Sequence, residues 1–208
     1  MYGIKIMKNL KPDYNKSLIY TRLGYNKKSA ELSTEAFKET ERLIELTKKT
    51  LDITAAYRMM NIVEIKPPEV ILEDGTVLKG QKLSKLLENC NTALLMLATG
   101  GKKVMELITR LQDEGRLSEA VVVDAAASEI TDSALDMVMA HVAQIIRPRG
   151  QALTKMRFSP GYGDFDITQQ RDFYRLLDAQ SFGITINDAC LLLPEKSVFA
   201  IAGIRNYF

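Results

Sequence analysis

Residues 117–146 constrain this chain more than any other stretch. They read as one long helix, stopped by Arg147-Pro148-Arg149-Gly150, where proline cannot continue the intrahelical hydrogen bonds. One face gathers Val123, Ala127, Ile130, Ala134, Val138, His141 and Ile145, while Glu129, Asp132 and Asp136 mark a separate acidic face. An apolar stripe of this length has to be buried against another layer of structure.

The rest of the chain supplies that layer as a mixture of strands and shorter helices. Ser33 or Thr34 caps a helix with Glu35 in its first turn, running to about residue 51; Phe37, Ile44 and Leu51 recur at seven-residue spacing beside Leu43. Ile53–Ile65 reads as a strand, ended by Pro67-Pro68. Val70–Leu78 reads as a hairpin about Asp74-Gly75, a pair suited to the positive φ angles of a type I′ turn. A short helix over Lys82–Leu87 leads to the buried strand Ala93–Ala98, then Thr99-Gly100-Gly101 and a helix to about Asp113. Beyond the long helix come residues 155–164, a helix near Gln169–Leu177, and strands at 184–185 and 197–204. There is no regular βαβ alternation, so the pattern predicts an α+β fold. Residues 1–30 are polar and irregular and read as an N-terminal arm; 31–208 read as one domain.

Composition removes much enzyme chemistry. Two cysteines, Cys90 and Cys190, cannot build a disulfide framework, and there is no CxxC. Both read as small core residues. The single histidine, His141, leaves no His-based zinc site within one chain and reads as a hydrogen-bonded core residue. The longest apolar run, Ala93–Ala98, is far short of the roughly 20 residues that cross a bilayer. The basic N-terminus has no apolar leader segment, so a reducing, cytoplasmic location is expected.

Charge is uneven. The whole chain carries 28 Lys+Arg against 26 Asp+Glu, a net +2, yet residues 1–50 alone hold 11 Lys/Arg against 6 Asp/Glu. A basic arm can meet nucleic acid, an anionic membrane or an acidic protein, or simply be a solvated surface. No zinc finger or RNP-like run accompanies it, so no nucleic-acid or membrane partner is expected.

Two segments could carry chemistry. Thr99-Gly100-Gly101-Lys102-Lys103 joins a strand to a helix; it could hold an anion on backbone amides, or be a tight turn that needs glycine. Neither GxGxxG nor GxxxxGK[ST] is present. Arg157-Phe158-Ser159-Pro160-Gly161-Tyr162-Gly163-Asp164 combines a carboxylate-gripping arginine, two glycines that admit close approach, and a tyrosine ring that attracts cations. It reads either as a cradle for a zwitterionic or cationic small molecule or as a Pro-Gly turn.

That segment, followed by GITINDACLLLPEKSVFAIAGI at 183–204, resembles the activation domain of cobalamin (vitamin B12)-dependent methionine synthase, and its stand-alone versions in particular. Arg157, Gly161 and Tyr162 match the family's Arg-x-x-x-Gly-Tyr turn; Thr185, Pro194, Ala202 and Gly203 are similar to the distal strand and its small-residue–Gly pair. The likeness is strong over 155–204 and weaker through LLMLATGG, VVVDAAASEITDSALD and Leu23-Gly24-Tyr25. Where the family continues after Gly-Tyr with proline and cysteine, this chain has Gly163-Asp164; Arg205-Asn206-Tyr207-Phe208 stand where further aromatic residues enclose the ligand.

The resemblance implies a twisted antiparallel β-sheet with flanking helices that binds S-adenosylmethionine, the methyl donor for reductive remethylation of cob(II)alamin. The family's ligand contacts carry over to Arg157, Ser159, Gly161, Tyr162 and Gly163, with Asp132 from the long helix and Glu129 in reserve. Arg157 would pair with the ligand carboxylate and Asp132 with its ammonium, and no general acid or base is required. No Asp-x-His-x-x-Gly is present, so the cobalamin is expected on a partner. That partner would be a corrinoid-binding methionine synthase or a related methyltransferase, with flavodoxin or ferredoxin as electron donor. The alternative is an activation or interaction module for a different corrinoid methyltransferase, without a working S-adenosylmethionine site.

Overall fold

The computed structural model describes residues 3–25 and 33–207. In chain order the elements are β1 (Lys5–Met7), α1 (Lys16–Arg22), α2 (Thr34–Thr50), β2 (Thr54–Lys66), β3 (Glu69–Leu72), β4 (Val77–Lys79), α3 (Gln81–Leu87) and β5 (Thr92–Thr99). They continue with α4 (Lys103–Asp113), α5 (Leu117–Ile146), β6 (Gln151–Leu153), α6 (Gln170–Leu176), β7 (Thr185–Ile186), β8 (Leu192–Leu193) and β9 (Ser197–Asn206). Seven strands form one sheet in the order β4-β3-β2-β5-β9-β6, with β1 on β2, and every pairing is antiparallel. β7 and β8 pair separately. The α+β expectation holds.

β5 organises both layers because Ala93 through Thr99 are all buried. Side chains alternate across a strand, so Leu94, Met96 and Ala98 pack on Ala126, Ile130, Ala134 and Val138 of α5. Ala93, Leu95 and Leu97 turn the other way, into a core with Leu83, Leu87, Phe173 and Phe199. Phe158, Phe165, Phe173 and Phe199 run through that second core with successive ring centroids 6.1, 6.1 and 5.8 Å apart. Such pairs add about 0.5–1.5 kcal/mol each beyond area burial. A third cluster joins Leu43 of α2 and Leu107 and Leu111 of α4 to Val123 and Ala127 of α5. The long helix is therefore packed on two sides, and its Ala-rich sequence permits both close approaches.

Several local expectations are revised. The N-terminal segment is less irregular than its composition suggests: β1 pairs with Ala55–Tyr57, and α1 seats a fully buried Ile19. Asn15 caps α1 through Ser17 N, and Lys16 and Tyr20 bind Glu41 at 2.5 and 2.8 Å. Residues 1, 2 and 26–30 of the expected arm lie outside the described residues. The hairpin between β3 and β4 forms, but Gly75 alone takes positive φ, and Gly75 N donates to Leu72 O while Leu72 N donates to Thr76 O. That is a type I turn closed by a left-handed glycine, stabilised by Asp74 accepting from Thr76 N and Oγ1. His141 is exposed, not a core residue; its ring meets Tyr57 edge-on with centroids 6.0 Å apart. Ile146 takes the buried position at that end of α5. Cys90 and Cys190 are buried free thiols, as expected, and burial pushes the Cys90 thiol up, keeping it protonated.

The small pair in β9 has a steric reason. Ala202 faces the α5 core, whereas a Cβ on Gly203 would overlap Cys90 Sγ and come within 2.8 Å of Leu87 Cδ2. Gly203→Ala is expected to lower unfolding stability by about 1–3 kcal/mol. Cys90→Ala in the same chain should restore part of it, as read by urea unfolding of the three variants.

Candidate functional site

The segment 157–164 is a turn tied down at both ends. Phe158 exchanges backbone hydrogen bonds with Ile201 of β9, at 2.9 and 2.8 Å. At the far end Asp164 accepts from Gln81 N at 2.5 Å and Lys82 N at 3.3 Å, capping α3, whose own N-cap residue Gly80 has no side chain to do so. Between these anchors Gly161 adopts φ +94° and donates to Phe165 O at 2.7 Å. Any Cβ there would lie 2.9 Å from Ile167 Cδ1, so the position needs glycine twice over. The fold thus holds Tyr162 outward with most of its surface exposed, while Phe165 is packed beneath.

Arg157 crosses from this turn to α5. Its guanidinium donates to Asp132 Oδ2 at 2.8 Å, to Asp132 O at 3.3 Å, and to Asp136 Oδ1. Asp132 and Asp136 are one helical turn apart, so a planar two-armed donor reaches both. Glu129, a turn earlier, is buried and pairs with Arg22 of α1 at 3.4 Å. The acidic face expected on α5 is therefore gathered by two arginines, one from each end of the chain. The structure brings Asp132 and Arg157 into direct contact and sets Ser159, Gly161, Tyr162 and Gly163 in the adjoining turn.

Two clefts meet at Tyr162. The larger, about 740 Å³, runs beneath Ser159 and Gly161 between Ile167, Leu192 and Phe199. The smaller, about 260 Å³, is polar and is lined by Arg22, Ser128, Thr131, Asp132 and Lys196. Tyr162, Glu195, Ser197 and Val198 border both. The larger cleft is thus mainly apolar, and the smaller carries charges of both signs.

Lys196 and Arg22 are missing from the residues singled out by sequence. Lys196 is buried, and its Nζ donates to Asp124 Oδ1 at 2.6 Å and Ser128 Oγ at 3.0 Å, both on α5. The available signal was a lysine placed between Pro194 and the apolar run of β9, where a charge needs a buried partner. Thr99-Gly100-Gly101 resolves as a turn that needs glycine. Gly100 N donates to Lys196 O and Gly101 N to Thr99 Oγ1, so both amides are already satisfied within the protein. Among the described residues no group of three or more His, Cys, Asp or Glu side chains could hold a metal ion, and no helix is long and apolar enough to cross a membrane.

No family model matches this sequence, and no curated protein of similar sequence was found. Among solved structures, the chain superposes on the MetH reactivation domain bound to AdoHcy with a TM-score of 0.72 and 13% identity, over 97% of this chain and 78% of that one. Likeness at this level establishes the fold, a curled antiparallel sheet with flanking helices. Removing the α3 cap by Asp164→Ala should cost about 1 kcal/mol of stability in urea unfolding, because two amides lose their acceptor. A variant as stable as the wild type would contradict the anchoring of this turn.

Proposed function

We propose that the joined clefts bind S-adenosylmethionine and that this chain is a cytoplasmic activation subunit for a corrinoid-dependent methionine synthase. The observation that carries the reading is the meeting of Arg157 and Asp132 at 2.8 Å beside a mixed-charge cleft that shares Tyr162 with a larger, mainly apolar one. S-adenosylmethionine has the same division: a zwitterionic amino-acid end, a central sulfonium and a flat adenosyl group. The amino-acid end fits the polar cleft, the adenosyl group the larger one, and the sulfonium the space beside the Tyr162 ring, whose face attracts cations. The fold shared with a reactivation domain bound to AdoHcy supports this assignment.

Within it each residue has a distinct part. Both terminal nitrogens of Arg157 are occupied by Asp132 and Asp136, so Arg157 orients Asp132 and leaves Asp132 Oδ1 for the ligand ammonium. Ser159 and Gly161 shape the wall against which the ligand lies, while Gly163 packs against Lys82 and Phe158. The chemistry comes from the methyl donor and the partner's cobalamin: one electron from a flavodoxin or ferredoxin reduces cob(II)alamin, and the reduced cobalt takes the methyl group, leaving S-adenosylhomocysteine. This chain contributes alignment. Lys11, Lys48 and Lys49 line one groove on the α2 side with Glu45 and Asp52, a net positive edge that suits an acidic electron donor. A second reading, an interaction module for another corrinoid methyltransferase, is favoured by the fact that Arg157 is already paired within the protein.

Titration calorimetry separates the two readings. The wild type is expected to bind S-adenosylmethionine and S-adenosylhomocysteine, with Arg157→Ala weakening both about threefold to tenfold, because Asp132 loses the group that orients it. Binding by the wild type justifies assaying cob(II)alamin remethylation with candidate partners. A wild type that binds neither ligand, with a corrinoid partner present or absent, establishes the second reading in place of the first.

A further inference from the structure

One end of the proposed ligand has no assigned partner. Asp132 is set for an ammonium, and Arg157, the residue whose chemistry suits a carboxylate, is turned onto Asp132 and Asp136 of α5 and lines neither cleft. Two other groups on the wall of the polar cleft have unused donor capacity.

The first is Lys196. Its residue is only 8% exposed, and a lysine ammonium has three donors. Asp124 and Ser128 accept two of them. The second is Thr131. Its hydroxyl is buried and has no hydrogen-bond partner within the protein, a cost to the folded state unless something else supplies one. Helical hydroxyls elsewhere in this chain avoid that cost by bonding back one turn: Thr40 to Ala36 O, Thr47 to Leu43 O, Thr50 to Leu46 O and Ser133 to Glu129 O. Thr131, on the same helix as Ser133, does not.

Gly100 packs closely against both residues. A Cβ at Gly100 would stand 2.7 Å from Leu51 Cδ2, 2.8 Å from Thr131 Oγ1 and 3.4 Å from Lys196 Cβ, so only glycine lets the turn close here. Gly100 N also fixes the Lys196 carbonyl at 2.7 Å. This glycine between strand and helix thereby seats the turn against Thr131 and fixes the backbone of Lys196.

We infer that Lys196 Nζ and Thr131 Oγ1 together bind the carboxylate of the ligand. The inference rests on the S-adenosylmethionine reading and makes it more specific: the site selects a sulfonium nucleoside that still carries its amino-acid carboxylate. Lys196 supplies charge and Thr131 a neutral hydrogen bond, while Asp132, on the wall of the same cleft, receives the ammonium. Asp124, half-exposed, balances Lys196 when no ligand is bound.

The test uses two ligands that differ only in that group, S-adenosylmethionine and its decarboxylated form, which keeps adenosine, sulfonium and ammonium. Calorimetry on the wild type should favour S-adenosylmethionine by at least about thirtyfold, the effect of removing one member of a buried charge pair. Lys196→Met should abolish that preference, lowering affinity for S-adenosylmethionine by a similar factor and leaving the decarboxylated ligand within about twofold. Thr131→Val should lower S-adenosylmethionine affinity alone, by about threefold to tenfold, with a thermal midpoint no lower than wild type, since it removes a hydroxyl that has no partner in the free protein. If Lys196→Met does not fold, Thr131→Val decides. Equal loss of both ligands, or unchanged S-adenosylmethionine affinity, overturns the assignment. A wild type that binds neither ligand instead overturns the S-adenosylmethionine reading, and this assignment with it.

Discussion

A strand with no wet face dictates the architecture. β5 is buried from Ala93 to Thr99, so it needs an apolar layer on each side and a hydrogen-bonded neighbour along each edge. β2 and β9 supply the edges. α5 covers one face with the small residues Ala126 and Ala134, and α3, α6 and the phenylalanine row cover the other. Because β9 lies between these layers, the turn that pairs with it through Phe158 is brought within side-chain reach of α5. The location of the cleft follows from that convergence.

Charge then completes what packing begins. Arg157 reaches from the turn to α5, Lys196 reaches α5 from the segment entering β9, and Arg22 does the same from the N-terminal helix. Three cations from separate parts of the chain are thus held by carboxylates one to three turns apart on a single helix. The half-exposed pairs among these add little stability individually. Their consequence is positional: they hold fixed donors and acceptors around the polar cleft while Tyr162 stays exposed at its junction with the larger one.

Much of this was legible in the sequence because it depends on local pattern. Pro148 marked the end of α5, the apolar run 93–98 marked β5, and the turn's glycines and arginine marked residues 157–164. Asp132 and Arg157 were named as site residues, and they touch. What stayed hidden depends on contacts far apart in the chain. α1 is seven residues held by one buried isoleucine and by Glu41, which no periodicity reveals. The arm therefore looked irregular. His141 fell on the apolar stripe by spacing yet lies where the stripe drifts off the sheet, and Ile146 is buried in its stead. Lys196 and Gly100 acquire meaning only when β9 and the end of β5 meet beside Thr131. The Asp74-Gly75 hairpin formed with a different turn because Asp74 binds Thr76 and leaves positive φ to glycine alone.

If the two clefts beside Tyr162 form one ligand site, a bound ligand lies across both in a single direction. A crystal structure of the chain with S-adenosylhomocysteine tests it most directly. Continuous density is expected from the larger cleft past Tyr162 into the polar one, with the adenosyl group toward Phe199 and the amino-acid end beside Asp132. Density on another surface, in the reverse direction, or none at saturating ligand would contradict it.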